Sequence, residues 1–177
     1  MRTLIVCESM FGNTRTIAEA VAETLAAYGH ADLVDVTAAP SVVGAGVDLM
    51  VVGAPTHAFG LSRPNTRRSA VEQGAGAEPA MGVREWLTTL AAASASTRAV
   101  TFDTRIARPR LPGSAARAAH RRLARRGFQM VADPMSFWVT GTAGPIRPGE
   151  LERAHRWAYE LTTIMNGRRP LDQWPVR

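Results

Sequence analysis

Short apolar runs and helix-patterned segments alternate along this chain, and that alternation limits the available folds more than any other feature. Thr3 to Cys7 is an apolar run of the kind found in strands buried on both faces. Thr14 to Tyr28 follows with Ile17, Val21, Leu25 and Tyr28 at helical spacing, and Gly29 stops it. Leu33 to Val36 reads as a second strand, and Asp48 to Ala54 ("DLMVVGA") as a third, closed by Pro55. Helical spacing returns from Val83 to Ala93, with Val83, Trp86, Leu87 and Leu90 on one stripe, and Arg98 to Phe102 reads as a fourth strand. Pro112 takes the first position of a helix that runs to Arg126, ahead of Gly127. Phe128 to Val131 and Ser136 to Thr140 read as one fifth strand interrupted at Asp133-Pro134, and a last helix runs from near Pro148 to about Met165. A parallel crossover needs a helix-length connection, so this order predicts a parallel sheet covered on both faces. Thr56 to about Ala80, rich in Gly, Pro, Ser and Arg, is too long for an idle connection; it is either a functional loop or an insertion.

At 177 residues the chain suits one domain, taken as residues 1–167, with the Arg-rich residues 168–177 as a tail. Its 46% hydrophobic and 20% charged residues are those of an ordinary globular protein. No apolar stretch is long enough to span a bilayer, the N-terminus lacks the long apolar centre of a signal peptide, and Cys7 has no partner for a disulfide. A cytoplasmic location is the expectation. The net charge is +6, and all 21 basic residues are arginine, which points to a GC-rich coding bias more than to selection at each site. No zinc-ligand spacing, helix-turn-helix signature or interleaved aromatic platform accompanies the charge, so nucleic acid is not an expected partner.

A doubly wound sheet binds its ligand beyond the carboxyl ends of its strands, which directs attention to the loops after Cys7, Ala54 and Phe102. The first of them lies within "LIVCESMFGNTRTIAEAV" and holds Ser9, Gly12, Asn13 and Thr14 at the start of a helix, without a lysine. The first turn of a helix presents N–H groups that lack intrahelical partners and carries a partial positive charge, so an anion binds there without a cationic side chain. Ser9 and Thr14 add hydroxyl donors, Gly12 allows an unusual dihedral, and Asn13 is a good cap. A bare cap would need only one of these residues. The dinucleotide fingerprint G-x-G-x-x-G and the Gly-Lys-Ser/Thr ending of a P-loop are both absent. A terminal phosphomonoester matches such a short hydroxyl-rich loop best.

These residues resemble the flavodoxin family. Its phosphate loop, written T/S-x-T-G-x-T, is similar to Ser9-Met10-Phe11-Gly12-Asn13-Thr14. The likeness continues in "VVGAPTHAFG", from Val51 to Gly60, and in "FWVTGTAGPIRPGELERAHRWA", from Phe137 to Ala158. It implies a flavodoxin-like three-layer α/β/α sandwich with a five-stranded parallel sheet of order 2-1-3-4-5 and FMN as cofactor. It places the cofactor against Ser9, Met10, Phe11, Gly12, Asn13 and Thr14, against Pro55, Thr56, His57, Ala58, Phe59 and Gly60, and against Asp103, Thr104 and Arg105. Three departures stand out. Phe11 occupies a hydroxyl position of the motif, "FDTRIARPR" brings no aromatic beyond Phe102, which is expected in the core, and the chain is basic where flavodoxins are acidic.

His57 and Phe59 are expected beside the flavin ring, with a solvated loop histidine and a core phenylalanine as the alternatives. Arg105 either sits near the reduced ring, where a cation raises the reduction potential, or points into solvent. Cys7 reads as a small buried hydrophobe, and Trp86 and Trp157 as core residues. Arg117, Arg121 and Arg125 share a helix face that Arg122 and Arg126 widen, either a solvated surface or a docking patch for an acidic redox partner. The leading expectation is an FMN protein that carries electrons between partner proteins. The alternatives are an FMN-dependent oxidoreductase of the NAD(P)H:quinone reductase or protoporphyrinogen-oxidase-like type, and a binding module that has lost its flavin.

Overall fold

The computed structural model describes residues 1–77, 79–93, 97–107 and 112–167; the expected tail at 168–177 lies outside them. Strand β1 (Arg2–Cys7) is the centre of the sheet's first half. It pairs in parallel with β2 (His30–Asp35) on one side and with β3 (Leu49–Pro55) on the other. β3 pairs with β4 (Arg98–Ile106), and β4 pairs along its length with both β5 (Gln129–Met130) and β6 (Met135–Val139). The order is β2-β1-β3-β4, with the interrupted fifth position at the far edge, and every pairing is parallel. The expected 2-1-3-4-5 sheet and the break at Asp133-Pro134 are both present.

Period-two alternation sends successive side chains of each strand to opposite faces. Ile5 and Cys7 join α1 (Asn13–Ala26) and α5 (Glu150–Met165) on one face. Leu4 and Val6 join α3 (Val83–Thr89) and α4 (Ala115–Arg125) on the other. Phe102, Phe137 and Trp157 form an edge-to-face triad in the first layer, with ring centroids 5.8–5.9 Å apart. Gly53 of β3 makes room for it, since a Cβ there would lie 2.2 Å from Cζ of Phe102. Trp86 is fully buried in the second layer and its Nε1 donates to Pro40 O.

Several boundaries move. β2 starts earlier and stops earlier than Leu33–Val36 because its ladder with β1 begins at His30, while Val36 enters a 3₁₀ turn capped by Asp35. The helix expected from Pro112 starts at Ala115, where the Ser114 hydroxyl accepts from Arg117 N and caps it. β4 continues past Phe102 to Ile106, so Asp103, Thr104 and Arg105 are strand residues. The long Thr56–Ala80 segment contains a helix, α2 (Pro64–Glu72), with Pro64 in its first turn. Among the described residues no helix is long and apolar enough to cross a membrane.

Candidate functional site

The carboxyl ends of β1, β3 and β4 open on a cavity of about 410 Å³, within the range of small-molecule sites. Its first wall is the segment between β1 and α1. Gly12 takes the N-cap position with φ 84°, a left-handed conformation that leaves α1 without a side-chain cap of its own. The capping role expected of Asn13 therefore passes elsewhere. Asn13 is the first helical residue, and its Nδ2 donates to Ala143 O at 3.1 Å, tying α1 to the loop before α5. Ser9 supplies the cap instead, its Oγ accepting from Arg15 N at 3.2 Å. Met10, Phe11, Asn13 and Thr14 line the cavity; Ser9 and Gly12 do not.

Thr14 is buried, and its hydroxyl lies 2.7 Å from that of Thr104 on β4. In such a pair one hydroxyl donates to the other and the second keeps its proton for a third group. Ser9 spends only a lone pair on Arg15 N, so its proton is likewise available. The start of α1 thus offers backbone N–H groups and hydroxyl protons together, a donor set suited to a phosphate.

The second wall is the turn after β3. Pro55, Thr56, His57 and Ala58 line the cavity. His57 and Gly60 exchange backbone hydrogen bonds of 2.8 and 2.7 Å, which forces Ala58 (φ 30°) and Phe59 (φ 77°) into positive φ. Residues other than glycine are held there at a cost, and such strain gathers at functional segments. Phe59 points away from the cavity and is 64% exposed. Gly60 stays outside the lining as well. Burial lowers the pKa of the His57 imidazole; the Arg67 charge acts in the same direction, and a hydrogen bond with Thr66 backbone opposes them. His57 is therefore neutral at pH 7.

The third wall is the end of β4, where alternate residues take different tasks. Thr104 and Arg105 line the cavity. Asp103 is fully buried and turned to the start of α4, where its Oδ2 accepts from Ser114 Oγ (2.6 Å), Ala116 N (3.0 Å) and Thr56 Oγ1 (2.9 Å). Thr56 Oγ1 in turn accepts from Ala115 N at 2.9 Å. Asp103 is thus an anchor joining β4, α4 and the turn after β3. The Arg105 guanidinium lies 5.5 Å from the centre of the Trp138 ring, a cation–π contact.

α2 forms a wall that pattern reading did not anticipate, with Thr66, Ser69, Ala70 and Gln73 facing the cavity. It is fixed from below by a buried polar cluster. Arg67, 2% exposed, donates to Ser62 Oγ (3.1 Å) and Glu85 Oε2 (3.0 Å). Glu8, directly after β1, accepts from Val83 N at 2.7 Å through Oε2. Burial raises the Glu8 pKa, against the opposing pull of Ser62, the Val83 N–H and Arg67. Ile106, Val139 and Thr142 complete the lining. Pro64 was the one local sign of α2, because its buried residues are Arg67 and Ala70 where an apolar stripe would be expected.

Two other expectations resolve away from the cavity. Cys7 is buried, and burial together with the Asp35 charge raises its pKa and keeps the thiol protonated. On α4, Arg122 donates to Arg84 O at the start of α3, and Arg126 donates to Leu90 O and Thr88 O at its end, so the two clamp α3 to α4. Among the described residues no group of three or more His, Cys, Asp or Glu is placed to hold a metal ion.

No family sequence profile and no curated protein sequence matches the chain. Solved structures do. Flavodoxin 1 from Bacillus cereus superposes with a TM-score of 0.67 at 16% identity, over 92% of this chain and 98% of that one. Flavodoxin 2 from the same organism gives 0.66 at 19% identity, over 92% and 98%. Rubredoxin oxygen:oxidoreductase from Desulfovibrio gigas gives 0.61 at 16% identity, over 94% of this chain but 36% of that longer one. Together with the parallel sheet order and the helices on both of its faces, these superpositions give the chain a flavodoxin-like α/β/α fold.

Proposed function

We propose that the chain binds FMN in the cavity at the ends of β1, β3 and β4 and transfers electrons with redox partners. The observation that carries this is the donor set at the start of α1, where Gly12 takes φ 84° beside Asn13 and Thr14, which line the 410 Å³ cavity. Nothing lies within 4 Å of where a Gly12 Cβ would stand, so the phosphate end is open above the loop. The phosphomonoester would take the N–H groups of the first turn and the hydroxyl protons of Ser9 and the Thr14–Thr104 pair. The Phe11 departure removes one hydroxyl from this set and leaves the backbone donors in place. The ring would lie between the His57–Ala58 turn, α2 and the Ile106–Val139 side.

When bound, FMN supplies the redox chemistry, and the chain supplies binding and electrostatics. Arg105 puts a positive charge on the cavity wall, which favours added negative charge and raises the potential relative to an acidic wall. Neutral His57 offers a hydrogen bond and no net charge. Only part of the arginine face of the Arg117–Arg126 helix is left to meet an acidic partner. Arg122 and Arg126 are committed to carbonyls of α3 and its end, leaving Arg117, Arg121 and Arg125 on the exposed face.

The test is the visible absorption spectrum of the purified protein after FMN is added and excess removed by desalting. Flavin bands that co-elute with the protein support the proposal. Colourless protein after saturation with FMN rejects it.

A further inference from the structure

Across the Ala58–Phe59 turn from this cavity lies a second concavity of about 660 Å³. It stands on its own residues and does not require flavin next door, although Arg105 lines both. Arg105 and Trp138 face each other in the β4–β6 register, and Ser136, two residues earlier on β6, shares the Trp138 side. Arg117 and Arg121 enter from α4 one turn apart, and Phe59 closes the edge.

Its electrostatics are unbalanced. Among the described residues, three arginines and no acidic residue line it. The Arg117 and Arg121 side chains are exposed and, among the described residues, make no hydrogen bond or ion pair, in contrast with Arg122 and Arg126 on the same helix. Arg117 also lies in the first turn of α4, the end where the helix dipole disfavours a cation. Like charges four residues apart repel as well. Asp103 makes no ion pair with Arg117 or Arg121 among the described residues; its Oδ2 is turned to Ser114, Ala116 N and Thr56. A bound polyanion would relieve both penalties, and the arginines rather than the helix end would hold it. Beside this charge stands the Phe59 side chain, 64% exposed and held by a positive-φ turn, with Trp138 also lining the groove.

We infer that this groove binds a phosphorylated nucleotide, its phosphates on Arg117 and Arg121 and its base against Phe59 and Trp138. Phosphate needs the guanidinium pair, and a heteroaromatic base needs an exposed ring to stack on. A concave site of this volume matches a small ligand better than the broad, flat face of a docked protein.

The experiment is a calorimetric titration with ADP, on protein alone and on protein saturated with FMN, with adenosine and poly-glutamate as comparison probes. ADP is expected to bind saturably in both preparations, at least roughly tenfold tighter than adenosine. R117A/R121A is expected to weaken ADP by roughly tenfold or more, because two charge-assisted contacts are lost. Both side chains are exposed and, among the described residues, unpaired, so an unchanged melting curve is the check on folding. R125A, on the same helix but outside the groove, is expected to leave ADP binding unchanged. Four results would overturn the proposal: no saturable ADP heat, equal weakening by R125A, displacement of ADP by FMN, or poly-glutamate binding through Arg117 and Arg121 where ADP does not bind.

Discussion

Asp103 separates two roles that the sequence alone could not. If it contacted a flavin, its loss would reduce affinity for FMN. The structure makes it an anchor, with three donors from Ser114, Ala116 and Thr56 converging on Oδ2. A hydrogen bond to a charged group contributes about 1.5–3 kcal/mol, so the sum of three would be roughly 4.5–9 kcal/mol if they added. They do not add, because they share one oxygen and because removing the carboxylate also removes the cost of burying its charge. Asp103→Ala leaves the Ala116 N–H and two hydroxyls without their acceptor, and the expected loss is about 3–5 kcal/mol. Asp103→Asn keeps an oxygen for the helix but turns an NH₂ either toward donors or into the buried position of Oδ1, and about 1–2 kcal/mol is expected.

Urea denaturation followed by far-UV circular dichroism gives these differences, and flavin fluorescence titration gives FMN affinity under conditions where each variant is folded. The anchor role predicts a graded loss of stability, Ala worse than Asn, with FMN affinity of the folded Asn variant within about threefold of the parent. An Asn variant as stable as the parent but unable to hold FMN would refute the reasoning and return Asp103 to the ligand.

Three further outcomes follow from the same geometry. Gly12→Ala meets no neighbour within 4 Å, so its cost is the left-handed backbone alone, about 1–2 kcal/mol, with Gly12→Asn milder; thermal melts of the two variants check this ordering. Gly53→Ala drives a Cβ to 2.2 Å from the Phe102 ring and is expected to cost at least about 1–3 kcal/mol, partly recovered in Gly53→Ala/Phe102→Leu, which a double-mutant cycle in urea measures. Glu8 has its pKa raised in the folded state above its ordinary value of 4.5, so its contribution to stability is fully present below that value and is lost as pH rises through the folded pKa. Glu8→Gln should remove that loss, so the stability difference between Gln and Glu variants grows in favour of Gln as pH rises from about 4 to 7. A difference that does not vary with pH would count against the buried-carboxylate account.

The limits of legibility follow a physical line. Strands and helices whose burial is apolar were readable from period, as with Ile5 and Val6 in β1 or Ile17, Val21 and Leu25 in α1, because each contributes to one face of a core. What escaped is the buried polar structure. β4 was expected to stop at Phe102 because Asp103 and Thr104 look like loop residues, yet they are 0% and 5% exposed and bonded to partners such as Ser114 and Thr14 that only the fold brings near. α2 escaped for the same reason, since Arg67 is buried where a hydrophobe would have announced a helix, and its partners Ser62 and Glu85 come from either side of it. Period reading assigns polar residues to the surface, and a polar residue inside requires knowledge of its partner. These failures cluster at the carboxyl ends of β1, β3 and β4, around the cavity, where the strained Ala58–Phe59 turn also sits. Asp103 joins β4 to α4 and Arg67 fixes α2, so the polar residues that period misassigns to the surface are the inward anchors that hold the cavity walls in place.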